Sequence, residues 1–256
     1  MISAHMNIGR DYGLYEPRTL APGALRFDVT RVVSALWLVV TIILTLGIVR
    51  EFAGHYFGAG TIFKDMRHFA LDAERSLPSW YENLSMAAAS ALLTAIALLS
   101  RRLEPRNRIQ WSALAVIFLL MAIDGAVSFH EVTVDPLRNA FHLGGIFYFS
   151  WVIIATPVVI ALGLYFIPFL LRLPRSTAIR MAIAGSVFVG GALGTEFLCG
   201  YFASTSGIEA LPYMVTAATQ ECLESIGMTL FVIALLRHLA RIAPFMKIDM
   251  VQSENR

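Results

Sequence analysis

Apolar runs separated by short polar clusters divide the chain into six segments, at 32–49, 80–99, 111–130, 146–171, 178–202 and 213–236. A hydrocarbon core of about 30 Å takes about 20 helical residues, and each run comes close to that length. The runs are continuously apolar and rich in Ala and Leu. They lack the alternation of a barrel strand, so each predicts a transmembrane helix. The first 28 residues are polar and mixed and hold no apolar signal core, which makes 32–49 a retained first span. The fold class that follows is all-α, a polytopic six-helix bundle read as one membrane domain over residues 1–256.

Loop charges give the orientation. Fifteen of the 20 lysines and arginines fall near Arg10, Arg31, Arg101, Arg108, Arg172, Arg180, Arg237 and Arg256, on one set of connections. The other set keeps Arg50, Lys64, Arg67, Arg75 and Arg138. The positive-inside rule then places both termini in the cytoplasm, with 1–30 and the tail 237–256 inside, in a multi-pass protein of the inner membrane. The longest connection, 51–83, lies outside. Within it Phe63, Met66, Phe69 and Leu71 alternate with Lys64, Asp65, Arg67 and Asp72, a pattern that suits a short interfacial helix over 62–75 and a plain loop about equally. Leu77-Pro78-Ser79-Trp80-Tyr81 reads as the start of the second span, with proline in a first turn and aromatic rings at headgroup level. Gly190, Gly191 and Gly194 give the fifth span a small face for close helix approach.

Composition narrows the function classes. At 57% hydrophobic and 15% charged residues, with a mean hydropathy of +0.67, the chain is no ordinary soluble globule. A net charge of +2 supplies no basic surface for nucleic acid. Cys199 and Cys222 sit in apolar runs and read as small buried residues, not a disulfide. With no G-x-S-x-G and no phosphate-cradling glycine loop, the sequence argues against a serine hydrolase of the usual kind and an NTPase. The lipid bilayer is the first partner, and a homo-oligomer or other membrane proteins are the further ones.

Four carboxylates read as lying at membrane depth: Asp124 in the third span, Glu196 in the fifth, and Glu221 and Glu224 in the sixth. Each costs at least about 2.5–3.5 kcal/mol there, so each needs a compensating partner. At 1.5 Å per residue all four fall between mid-bilayer and its outer edge. Asp124 and Glu131, seven apart, share a helix face, and Glu221 and Glu224 are i,i+3 neighbours. His130 and His142 belong to the same outer side. The candidate metal ligands are Asp124, His130, Glu131, His142, Glu196, Glu221 and Glu224, with Glu51 and His55 as further members.

Oxygen and nitrogen donors from facing helices suit a divalent Fe, Mn or Zn ion, whose charge offsets the repulsion between the acids. Such an ion would activate water or dioxygen toward a lipid-soluble or outer-face substrate. The E-x-x-H pair of helical di-iron sites is missing, because Glu221-Cys222-Leu223-Glu224 puts a carboxylate in the histidine's place. Two other readings stay open. A proton- or cation-coupled transporter would use the acids as a path, although a three-plus-three inversion would send the third helix's acid to the inner half of the sixth. An accessory subunit of a larger complex would keep them as structural groups bonded across helices.

Five pieces carry a resemblance: Leu77-Pro78-Ser79-Trp80-Tyr81; Asp124 with His130-Glu131; Phe169-Leu170-Leu171-Arg172-Leu173-Pro174; Gly191-Ala192-Leu193-Gly194-Thr195-Glu196; and Glu221-Cys222-Leu223-Glu224-Ser225-Ile226-Gly227. In combination, over about residues 75–240, the chain resembles a family of uncharacterised bacterial six-helix membrane proteins. The resemblance implies the topology and the acid site, and it implies no activity. Here Gln220-Glu221 stands where the family pattern has two acids, and Gly125 where a glutamate follows the aspartate.

Overall fold

A computed structural model describes residues 28–57, 66–103 and 105–243. Of the predicted N-terminal segment, interfacial helix and tail, residues 1–27, 58–65 and 244–256 lie outside the described residues. Among the described residues all regular structure is helical. The elements are α1 (Val29–Phe57), α2 (Leu77–Leu103), α3 (Arg108–Val127), a short α4 (Val134–Phe141), α5 (Val152–Arg172), α6 (Arg175–Val189), α7 (Glu196–Thr205) and α8 (Leu211–Ile242). A wide π-helical turn, Gly190–Thr195, joins α6 and α7 into one span. Six helices are thus long and apolar enough to cross a membrane, and six crossings return the chain to the side it started from.

Local chemistry sets the helix ends. Asp28 caps α1, its Oδ1 accepting the N–H of Thr30 at 2.9 Å. Ser76 Oγ accepts the N–H of Ser79 at 3.2 Å, and Pro78 fills the first turn of α2, as Pro212 does for α8. The third span stops three residues before its predicted end. Ser128 adopts a left-handed conformation (φ 57°), and its N–H closes onto the Asp124 carbonyl. The fourth span starts at Val152, not 146, because α4 and the 3-10 turn Gly145–Phe147 take up the preceding chain.

Over its described part the 62–75 segment is a loop with one 3-10 turn, Arg67–Phe69, in place of an interfacial helix. Two contacts explain the difference. Leu71 is fully buried in a hollow that exists because position 47 is glycine, and its N–H donates to Glu51 at 3.0 Å. Burying Leu71 against α1 holds the segment to the bundle, where a helix lying flat would leave that side chain in the interface plane.

One end of the bundle is closely packed. Trp111, Phe169, Leu235 and His238 are buried to within 1% there. The Trp111 ring meets Phe169 edge-on at 4.8 Å and His238 at 5.0 Å, and Phe118 stacks on Phe231 at 4.5 Å. Central α8 packs against α1, α2, α6 and α7. Its crossing with α6 needs glycine: a Cβ at Gly227 would lie 2.6 Å from the Phe188 nitrogen, and one at Gly191 2.9 Å from Leu223 Cβ. Gly190 and Gly194, expected on the same small face, look into open space. Helix α5 packs on α6 and meets α3 at this closed end through Phe169 and Trp111. Toward the other end a cavity separates α3 from α5.

Candidate functional site

That cavity measures about 1040 Å³, the upper end of the range for ligand pockets. It is walled by the halves of α2, α3, α5, α7 and α8 nearest the 127–152 and 205–211 connections, and the packed half of the bundle forms its floor. Nine carboxylates line it, half of the chain's 18: Asp72, Glu74, Glu82, Asp124, Glu131, Asp135, Glu196, Glu221 and Glu224. The basic lining residues are His130 and Arg138. Arg138 is engaged already, 2.5 Å from Asp135 and over the Tyr148 ring. The lining is strongly acidic.

The structure brings six of the seven predicted residues together here. His142 is the exception. It is exposed in a left-handed turn (φ 52°) at the end of α4 and does not reach the wall. Glu51 faces a small adjoining cavity with Asp72 and is paired with Arg50 at 2.8 Å, while His55 packs edge-on against Tyr56.

The rim is built by the early end of α3. The sequence reading put Asp124 and Glu131 on one helix face. Instead the helix ends between them, and the Ser128 turn folds the chain back over the aspartate. Asp124 Oδ2 lies 2.7 Å from His130 Nδ1, and its Oδ1 accepts the His130 N–H at 3.0 Å. One Asp124 oxygen thus holds the imidazole ring and the other its backbone, and Nε2 of this cavity-lining residue is unbonded among the described residues. The His130 ring sits edge-on to Trp151 at 5.0 Å, and the Trp151 indole donates to Glu196 at 2.9 Å. Asp124, His130, Trp151 and Glu196 thus form one contact chain across the rim.

Outside the spans two rim acids titrate high. Glu131 is exposed on one side, and the protein packed on its other side raises it first, followed by the neighbouring charge of Glu74, which accepts the Ser128 hydroxyl. Asp72 keeps an exposed edge, but protein crowding around its carboxyl raises its pKa against the Tyr213 hydrogen bond, which acts to lower it.

Deeper in the cavity stands an acid the sequence reading missed. Glu82 accepts a hydrogen bond from Ser225 at 3.1 Å, and it is the strongest like charge acting on Glu221 and Glu224. Its neighbour Tyr81 pairs with Thr229 at 2.6 Å. The signal was present: counting from the Ser76 cap places Glu82 about 9 Å into a helix long and apolar enough to cross a membrane. Among the described residues Glu221 has no hydrogen-bond partner.

At the two positions where the resemblance implies a further acid, the structure holds Gln220 and Gly125. Gln220 lies beside Glu196 and Glu224 and its amide oxygen accepts from Cys199 at 3.2 Å, so a neutral side chain stands between two acids where a third would repel them. At Gly125 the space for a side chain is filled by Asn83, whose amide donates to the Gly125 carbonyl at 3.1 Å. Both cysteines are free.

Across from the acids the wall is apolar, with Ile117, Leu120 and Met121 on α3 and Ala155, Val158 and Leu162 on α5. Among the described residues no three His, Cys, Asp or Glu side chains converge closely enough to hold a metal ion as they stand. No curated protein and no solved structure matches the chain. The profile of a family described as a domain of unknown function (DUF8692) matches residues 31–239, and the chain belongs to that family.

Proposed function

We propose that the protein binds a divalent cation in its intramembrane cavity and that the ion serves a reaction entered from the outer face. The observation that carries this reading is the imbalance of charge: nine acids line one volume, and its single arginine is already paired. Ionised carboxylates at this depth cost several kcal/mol together, and a divalent ion offsets two charges at once. Glu82, Glu221 and Glu224 are the ligands, reached by rotation of side chains that already face free volume. Hard oxygen donors favour Mn, Fe or Zn over a thiolate-seeking metal. When bound, the ion supplies Lewis acidity at the cavity's deep wall. His130, fixed by Asp124 with Nε2 unbonded, accepts or delivers a proton at the rim. The loop charges support both termini in the cytoplasm, which labelling of single cysteines placed at the ends of the described chain would test.

Elemental analysis of gently purified protein tests the ion. Wild type is expected to hold about one Mn, Fe or Zn per chain and to recover it on dialysis against that metal. Glu221→Gln is expected to lose it, whereas Asp124→Asn, which disturbs only the rim, keeps it. Wild type that neither holds nor takes up metal would overturn the reading.

A further inference from the structure

The cavity has two chemically opposite walls, and the apolar one fails to close. Leu120 on α3 and Val158 on α5 both line the cavity and are 60% and 51% exposed, and no run of contacts joins the two helices beside it. They lie near the middle of two membrane-length helices that touch at the closed end through Trp111 and Phe169 and are separated above it. A membrane-spanning bundle thus has a side opening at the depth of lipid chains. Whatever passes through it arrives from the bilayer, not from water.

The occupant's chemistry follows from what the walls offer. A chain of methylenes lies along Leu120, Val158 and Leu162 without leaving any polar group unpaired. Its head reaches the rim, where Asp72, Asp124, Glu131 and Glu196 face the cavity and Trp151 offers an aromatic surface. A phosphate or sulfate head would meet that lining as like charge. A protonated amine meets it as counter-charge and as a hydrogen-bond donor for acceptor-only carboxylates. We propose that the cavity is a binding site for a single-chain amphiphile with a protonated amine head, entering sideways between α3 and α5. The inference goes beyond the cation reading. It uses the rim acids and the apolar wall, leaves Glu82, Glu221 and Glu224 to the ion, and stands whether or not an ion is bound.

The test uses the full chain in lipid nanodiscs, with tetradecylamine, tetradecanol and tetradecyl phosphate as probes of equal chain length. Tryptophan fluorescence reads occupancy, and a Trp151→Phe variant identifies the reporting ring. Tetradecylamine is expected to saturate the protein and to bind at least about tenfold tighter than the alcohol, the margin of one charge-assisted hydrogen bond. The phosphate is expected to bind no better than it partitions into empty nanodiscs. Val158→Trp, which narrows the opening, is expected to slow amine binding severalfold while leaving propylamine, a head without a chain, unaffected. Metal content is measured on the same samples. Saturable amine binding by metal-free protein sustains this inference and removes the ion. Metal-loaded protein whose signal matches empty nanodiscs, or alcohol binding as tightly as amine, overturns this inference and leaves the ion standing.

Discussion

Helix α8 passes through two regions that could hardly differ more. In its second half nearly every residue from Met228 to Leu236 is buried, and Trp111 packs on its His238 and Phe118 on its Phe231. In its first half Gln220, Glu221 and Glu224 face a hollow that water-sized groups can enter. One region brings atoms into contact, and the other holds like charges apart around open space. In a bilayer, where helices gain little from the hydrophobic effect, stability comes from close packing and cross-helix hydrogen bonds. The packed half therefore holds the bundle together and allows the other half to stay open and charged.

The sharpest way to break that division is to open the packed half. Trp111→Ala is expected to lose about 3–5 kcal/mol, as buried aromatic truncations do. Thermal unfolding of the purified protein would show it, and a loss under about 1 kcal/mol would mean that stability resides elsewhere. A smaller effect is expected at the α6–α8 crossing. Gly227→Ala forces a methyl against the Phe188 backbone and should cost about 1–3 kcal/mol. Gly163→Ala, facing open space on α5, should be neutral or gain up to about 1 kcal/mol from helix propensity. Equal effects at the two glycines would contradict the crossing geometry.

The smallest effect concerns the rim. Glu131 titrates above its ordinary value in the folded protein, so the native state holds its proton more tightly than the unfolded chain. Its contribution is complete below the unfolded pKa and is lost as pH rises through the folded one. Metal-free Glu131→Gln should therefore be slightly more stable than wild type at neutral pH, with the difference vanishing in acid. A difference that grows toward acid would reverse the sign of the argument.

Much of this was legible in the sequence. Six apolar runs, the second opened by Pro78, specify six helices because membrane thickness and backbone satisfaction leave no alternative. The shared depth of Asp124, Glu196, Glu221 and Glu224 was also visible, since rise per residue is a fixed ruler. Other features were hidden because they depend on contacts distant in sequence. Glu82, only two residues into the run at 80–99, drew no notice until Ser225 was seen to bond it. The fold-back of His130 onto Asp124 depends on a left-handed serine that no residue preference announces. His142 lies in the connection beside the cavity but off its wall, because loop position carries no depth scale.

The wide turn at Gly190–Thr195 can be read as a slip of phase. Along this span Phe188, Gly191 and Cys199 each meet α8, and the step from 191 to 199 is eight residues, one more than two regular turns supply. The π turn absorbs the surplus residue, so the two parts of the span keep the same azimuth although their periodicities are out of step. Removing one residue from the turn would restore an unbroken rhythm and swing Glu196 by about 100°, away from Trp151 and Gln220. The acid is kept on the rim by an irregularity in the helix that carries it.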